Sequence, residues 1–290
     1  MREKQRPGII AIGDRVPVDF SANIHSIHAK VLNFLVDGVI ISLCAKSLCP
    51  GPYRIVLDLA GFNHQPGAGQ KECQETFLLR RGDQLIWGYW EWDVSKPSLM
   101  YQSGIKLRDF SHQKRQQMAQ KAAADFKASH HGNSYAEILA GDGSAGFDRA
   151  ILASFSRGEE HLKKGQYPEA VKCFKGLGYG LTPAGDDFLM GFLLALRYLD
   201  SLSQKKELQE ICPCLFFASL GENPLVNTFL QQAMYLEPDY DWREYICALS
   251  SCSDTYRHWQ DIISRQGHSS GRDRLCGFLL GLELIGHGNE

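Results

Sequence analysis

Gly185-Asp-Asp-Phe-Leu-Met-Gly-Phe-Leu-Leu-Ala-Leu196 reads as the entry and first turns of a helix that is apolar on nearly every side. A helix without a polar face has to be buried. The pattern returns 86 residues later as Gly271-Arg-Asp-Arg-Leu-Cys-Gly-Phe-Leu-Leu-Gly-Leu282. Eight of the twelve positions are identical, among them Gly185/Gly271, Asp187/Asp273, Gly191/Gly277 and Phe192/Phe278. A period of this length is too long for a solenoid repeat. It reads instead as a two-fold duplication inside one helical domain. Gly191 and Gly277 each cost about 1 kcal/mol against Ala in a helix interior. That cost is tolerable where a second backbone approaches closely, so the two copies are expected to pack on each other.

Outward from this repeat, the texture of the chain changes near residue 110. Before it, short β-branched and aromatic runs alternate with Gly and Pro. Val36–Cys44 reads as a strand entered by a turn, and Tyr53–Leu59, Glu75–Arg80 and Gln84–Trp90 read as strands, with Arg81-Gly-Asp83 as a hairpin loop, Phe62–Lys71 as a longer loop and one helix over Ser26–Phe34. After it the periodicity is helical. Helices are expected over Gln113–Ala128 with Ser111 as N-cap, Ser144–Lys164 ending at Gly165, Pro168–Phe174, Phe188–Leu202, Leu225–Leu236, Trp242–Leu249, Tyr256–Arg265 and Leu275–Ile285. The expected fold class is therefore α+β. A β-rich N-terminal domain (1–110) precedes a mostly α-helical domain (111–290) that carries both copies of the repeat.

Composition narrows the function classes. The 290 residues carry 31 Lys and Arg against 33 Asp and Glu, a formal charge of −2. Such a chain presents no electrostatic footprint for nucleic acid or an anionic membrane. Its longest apolar run, Phe188–Leu196, is far short of a membrane span. The polar start lacks the pattern of a signal peptide, and nine scattered cysteines do not suggest a disulfide framework. A soluble, cytoplasmic protein is the expectation.

The entries to the two helices carry the chemistry. Gly178-Tyr-Gly-Leu-Thr-Pro-Ala-Gly185 and Gly267-His-Ser-Ser-Gly271 are Gly-rich turns with hydroxyl groups. A helix N-terminus offers free N–H groups and the positive end of a dipole, and a Gly-rich turn lets an anion reach them. The same residues also suit simple capping, because Asp, Ser and Thr satisfy helix N-termini and turns. Asp186, Asp187 and Asp273 would repel a phosphate unless neutralised, for which His268 and Arg272 are close in sequence. The acidic residues can act as general acid or base, bind amide donors, or hold Mg²⁺. The catalytic candidates are Asp186, Asp187 and His268. The substrate-binding candidates are Gly180, Thr182, Ala184, Gly185, Ser269, Ser270, Gly271 and Asp273. No residue is assigned to a metal, and Mg²⁺ is the one cofactor the acidic residues allow.

These two turns carry a family resemblance. Gly178-Tyr-Gly-Leu-Thr-Pro-Ala-Gly-Asp-Asp-Phe-Leu189 resembles the G-x-G-L-T-P-S-G-D-D-F-L signature of the AllH-type family, which includes the oxamate carbamoyltransferase subunit and YahE-like proteins. Gly267-His-Ser-Ser-Gly-Arg-Asp-Arg-Leu275 is similar to its second signature, G-H-S-S-G-x-D-x-L. Ala184 stands where Ser is usual, and Arg272 and Arg274 stand where Trp and Thr are common. The resemblance implies an FdrA-like chain and a second large carbamoyltransferase subunit as partners. It also implies exchange of a carbamoyl group between oxalurate and phosphate in allantoin breakdown, with a small anionic substrate at the two turns. Two other classes stand beside it: a non-catalytic scaffold subunit, and a Mg²⁺-dependent hydrolase of a phosphorylated small molecule.

Other clusters carry less. Cys212-Pro-Cys214 and the Cys44/Cys49 pair lack a matching second pair for zinc. His130-His131 reads as a solvated turn. Ser26 between His25 and His28 lacks a nucleophile elbow. Trp87, Tyr89, Trp90 and Trp92 are expected to alternate faces along one strand.

Overall fold

The computed structural model describes residues 7–62, 77–88, 90–96, 99–105, 112–129, 149–203 and 206–286. The chain forms two compact units: Met1–Gly104 with Pro238–Tyr240, and Ile105–Glu237 with Asp241–Glu290.

The first unit is a curled nine-stranded sheet, a half-barrel. Its strands are β1 (Ile9–Gly13), β2 (Asp19–His28), β3 (Val31–Val36), β4 (Val39–Ala45), β5 (Arg54–Leu57), β6 (Phe77–Arg81), β7 (Gln84–Trp87), β8 (Trp90–Asp93) and β9 (Met100–Tyr101). They lie in the order β8-β7-β6-β2-β3-β4-β5-β1-β9. The β4–β5 and β1–β9 pairs are parallel and the others antiparallel. Phe34, Ile41, Leu43, Ile55, Leu57, Leu78 and Leu85 build its core. The β3–β4 hairpin turns on Asp37 (φ 49°) and Gly38 (φ 83°). Two successive positive φ values match the right-handed twist of the flanking strands. From the 238–240 segment, Asp239 reaches the Arg54 guanidinium of β5 at 2.6 Å, and the Pro238 carbonyl accepts the Tyr101 hydroxyl at 2.9 Å.

Two expectations in this half are corrected. Ser26–Phe34 is not a helix; it is the end of β2, a tight turn at Ala29-Lys30, and the start of β3. Ile27, Val31 and Phe34 imitate a helical stripe, and the turn contains no Gly, Pro or Asn to announce it. The alternating burial of β2 and the antiparallel pairs Ile27↔Leu32 and His28↔Val31 decide for strand. Gln84–Trp90 is not one strand either. Gly88 takes φ 57° and folds the run back, so Trp87 pairs with Trp90 across β7–β8, ring centroids 5.0 Å apart. Tyr89 and nearly all of the Phe62–Lys71 loop lie outside the described residues.

The second unit is helical: α1 (His112–Ala128), α2 (Arg149–Lys163), α3 (Tyr167–Phe174), α4 (Ala184–Ser203), α5 (Lys206–Ser219), α6 (Pro224–Tyr235), α7 (Tyr240–Ser250), α8 (Tyr256–Ser264) and α9 (Ser270–Gly286). Strands first and helices after is the order expected from the sequence. Gly165 ends α2 at φ 69°, and Pro168 sits in the first turn of α3. The helix α5, which carries Pro213 in its middle, was not among the expected helices. Ser111, His130, His131 and the start of the Ser144–Lys164 stretch lie outside the described residues. No helix among the described residues is long and apolar enough to cross a membrane.

The core of this unit is the contact of α4 with α9. A Cβ on Gly191 would lie 1.9 Å from the Arg274 carbonyl oxygen, and one on Gly277 would lie 2.0 Å from the Phe188 carbonyl oxygen. Both glycines are thus required by backbone contact. Around this line Phe174 and Phe188 stack at 4.5 Å, and Phe155 meets Phe188 edge-on at 5.3 Å.

Candidate functional site

Both Gly-rich turns feed directly into the first turns of α4 and α9, a few residues earlier than the apolar pattern alone suggested. The first turn departs from α3 at Lys175, whose ammonium binds the carbonyls of Ala218 and Leu220 at the end of α5. A cation there complements the helix C-terminus. Gly176, Gly178 and Gly180 take φ values of 69°, 103° and 111°, which only glycine adopts at little cost. Asn223, the N-cap of α6, holds the turn by donating to the Leu181 carbonyl at 2.9 Å. The turn nevertheless presents Tyr179, 83% exposed, to solvent.

Asp186 and Asp187 stand side by side on α4 but serve different partners. Asp186 accepts the Gly176 N–H at 2.9 Å and so closes the turn back on its own helix. Asp187 is fully buried and accepts the Thr182 hydroxyl at 2.9 Å on one oxygen. Its other oxygen accepts Arg274 Nε, also at 2.9 Å. Burial pushes both carboxyls above their ordinary value. The Gly176 N–H opposes this at Asp186, and the Arg274 charge and the Ser270 and Thr182 hydroxyls oppose it at Asp187.

The two motifs meet here. Thr182 Oγ1 lies 3.2 Å from Ser270 Oγ, and the Asp187–Arg274 ion pair crosses from α4 to α9. Arg274 also lays its guanidinium over the Phe229 ring of α6, 4.4 Å from the centroid. Such a contact adds to the ion pair and fixes the plane of the fork.

The remaining candidates are placed as follows. Gly185 and Gly271 donate their N–H groups to the Leu177 and Gln266 carbonyls. A Cβ on them would fall 1.9 Å from the Phe174 oxygen and 1.8 Å from the Ile263 oxygen, so the fold itself demands glycine. Ala184 is buried beside Gly178, and Gly180 is exposed. Ser269 accepts the Asp273 N–H through its carbonyl, and Asp273 is fully buried. His268 is exposed, and its carbonyl accepts Arg272 at 2.6 Å. Among the described residues no group of three or more His, Cys, Asp or Glu is placed to hold a metal ion.

Arg274, Phe229 and Asn223 are the members that sequence reasoning missed. Two of the four positions at which the copies differ place an arginine in the second, Arg272 and Arg274. An arginine in an otherwise apolar helix was the signal, because a buried Asp187 requires a cation.

The fold and this junction define an α+β protein whose helical unit closes two Gly-turn motifs on each other through hydroxyls and an ion pair. Residues 174–282 match the family model AllH, described as oxamate carbamoyltransferase subunit AllH. No solved structure matches the chain.

Proposed function

We propose that this chain is a subunit of an oxamate carbamoyltransferase-like assembly, and that the junction of its two motifs binds a small anionic substrate. The match of residues 174–282 to the AllH family model supports the first part. The observation that carries the second is the 3.2 Å contact between Thr182 and Ser270, which makes one locus of two signatures 88 residues apart. In the reaction implied by the family, a phosphate oxygen bonds the carbamoyl carbon of oxalurate. The bond from that carbon to the oxamate nitrogen breaks, and the nitrogen takes a proton. An FdrA-like chain and a second large subunit complete the proposed assembly.

Within it, Asp187 organises the hydroxyls, Asp186 holds the turn that carries Thr182, and His268 is the exposed imidazole able to exchange a proton with a ligand. The two copies are further read as related by a two-fold axis between α4 and α9. The reciprocal contacts of Gly191 with Arg274 and of Gly277 with Phe188 support this, because residues 188 and 274 are equivalent in the repeat.

The scaffold alternative draws on the same network, since the motif hydroxyls bond one another and Asp187. The hydrolase alternative gains no support, because Asp186 and Asp187 turn to separate partners. Co-expression with the two partner subunits, followed by assay of carbamoyl phosphate from oxalurate and phosphate, tests the proposal. Activity that requires this chain supports it. Activity of the partners alone, or failure to co-purify, contradicts it.

A further inference from the structure

The hydroxyl protons at the junction can be assigned. Thr182 has one, and it goes to Asp187 Oδ2. The Ser270 hydroxyl is left to donate to Thr182 Oγ1 or to Asp187. Each hydroxyl carries a single proton and two lone pairs. Toward a ligand, then, Thr182 and Ser270 act as acceptors, the role suited to an amide N–H and unsuited to a phosphate oxygen. The donor is Arg274. Its Nε is held by Asp187 and its face by Phe229, and its side chain is 15% exposed. Among the described residues its terminal N–H groups carry no hydrogen bond, so they form an oriented fork. A fork of this kind matches a planar carboxylate with two parallel bonds. The neighbouring Asp187 charge repels a dianionic phosphate more strongly than a monoanionic carboxylate.

We infer that Arg274 is the specificity-determining residue of a subsite for a small acid bearing a carboxylate next to an amide N–H, with Thr182 and Ser270 accepting from the amide. This rests on the proposed function and deepens it: of the two ligands of a carbamoyl exchange, this junction takes the amide acid and leaves phosphate to another surface.

Titration of the full chain with oxamate and with pyruvate tests this, because pyruvate keeps the shape and the carboxylate but replaces the amide NH₂ by a methyl. Arg274→Lys keeps the charge opposite Asp187 but removes the fork. The expected result is oxamate binding that weakens about tenfold or more in Arg274→Lys and in Arg274→Gln. Pyruvate should bind about tenfold more weakly than oxamate, and Thr182→Val with Ser270→Ala should abolish that preference. Three results would overturn the inference: oxamate binding unchanged in both Arg274 variants, equal binding of pyruvate, or no oxamate binding below about 10 mM. Thermal melting of each variant without ligand separates lost binding from lost folding. An assembly that makes no carbamoyl phosphate would instead refute the proposed function, whatever the titration shows.

Discussion

Arg274 Nε lies 2.9 Å from Asp187 Oδ1 and ties the first turn of α4 to the N-terminal end of α9. The Asp187 side chain is 1% exposed and that of Arg274 15%. Removing one member of such a pair leaves a buried charge without its partner, which costs about 3–5 kcal/mol. Asp187→Ala is therefore expected to destabilise the helical unit by this amount in chemical denaturation. Combining it with Arg274→Met should recover part of the loss, because the orphaned cation is then gone. Additive losses in the double variant would show that the two side chains act separately.

Gly191→Ala and Gly277→Ala should each destabilise the protein by about 1–3 kcal/mol or more, since overpacking forces the backbones apart. The positions a methyl would take are already filled by carbonyl oxygens at 1.9 and 2.0 Å. Ala normally favours a helix over Gly, so a gain in melting temperature for either variant would mean that the helices do not meet at these points.

Asp186 gives a pH signature. Burial raises its carboxyl, so the folded state holds this proton more tightly than the unfolded chain. From the ordinary carboxylate value near pH 4 up to the raised value, the folded state binds more protons, and stability falls as pH rises. Asp186→Asn keeps an oxygen for the Gly176 N–H and removes the charge. It is expected to be at least as stable as the parent chain at neutral pH, with a flatter dependence above about pH 4. A steeper dependence in Asp186→Asn would contradict this account.

How far the sequence reached depends on which interactions are local. The change from strands to helices, the Asp37-Gly38 turn and the Gly165 helix end were legible because Gly and burial periodicity write them into a few neighbouring residues. The turn at Ala29-Lys30 was not, because tertiary pairing of β2 with β3 fixes it and no turn-forming residue marks it. The helix α5 was missed as well: it carries Pro213, which disfavours a helix locally, and packing of Leu208, Cys212 and Leu215 into the core holds it nonetheless. At the candidate site the repeat pointed to Thr182, Asp187 and Ser270. The close approach of Gly185 to the Phe174 carbonyl and of Gly271 to the Ile263 carbonyl was not legible, because those carbonyls belong to the preceding helices. The part played by Arg274 depends on Asp187 and Phe229 together, and no spacing in the sequence shows three helices converging.

In the proposed function the two motifs form one ligand site. A double-mutant cycle on Thr182→Val and Ser270→Ala tests it most directly, read as oxalurate phosphorolysis by the co-expressed assembly. Each variant is expected to lower the rate, and the double variant to lose little beyond the more damaging single one, because both remove the same network. Independent losses that multiply, or full activity in the double variant, would contradict it.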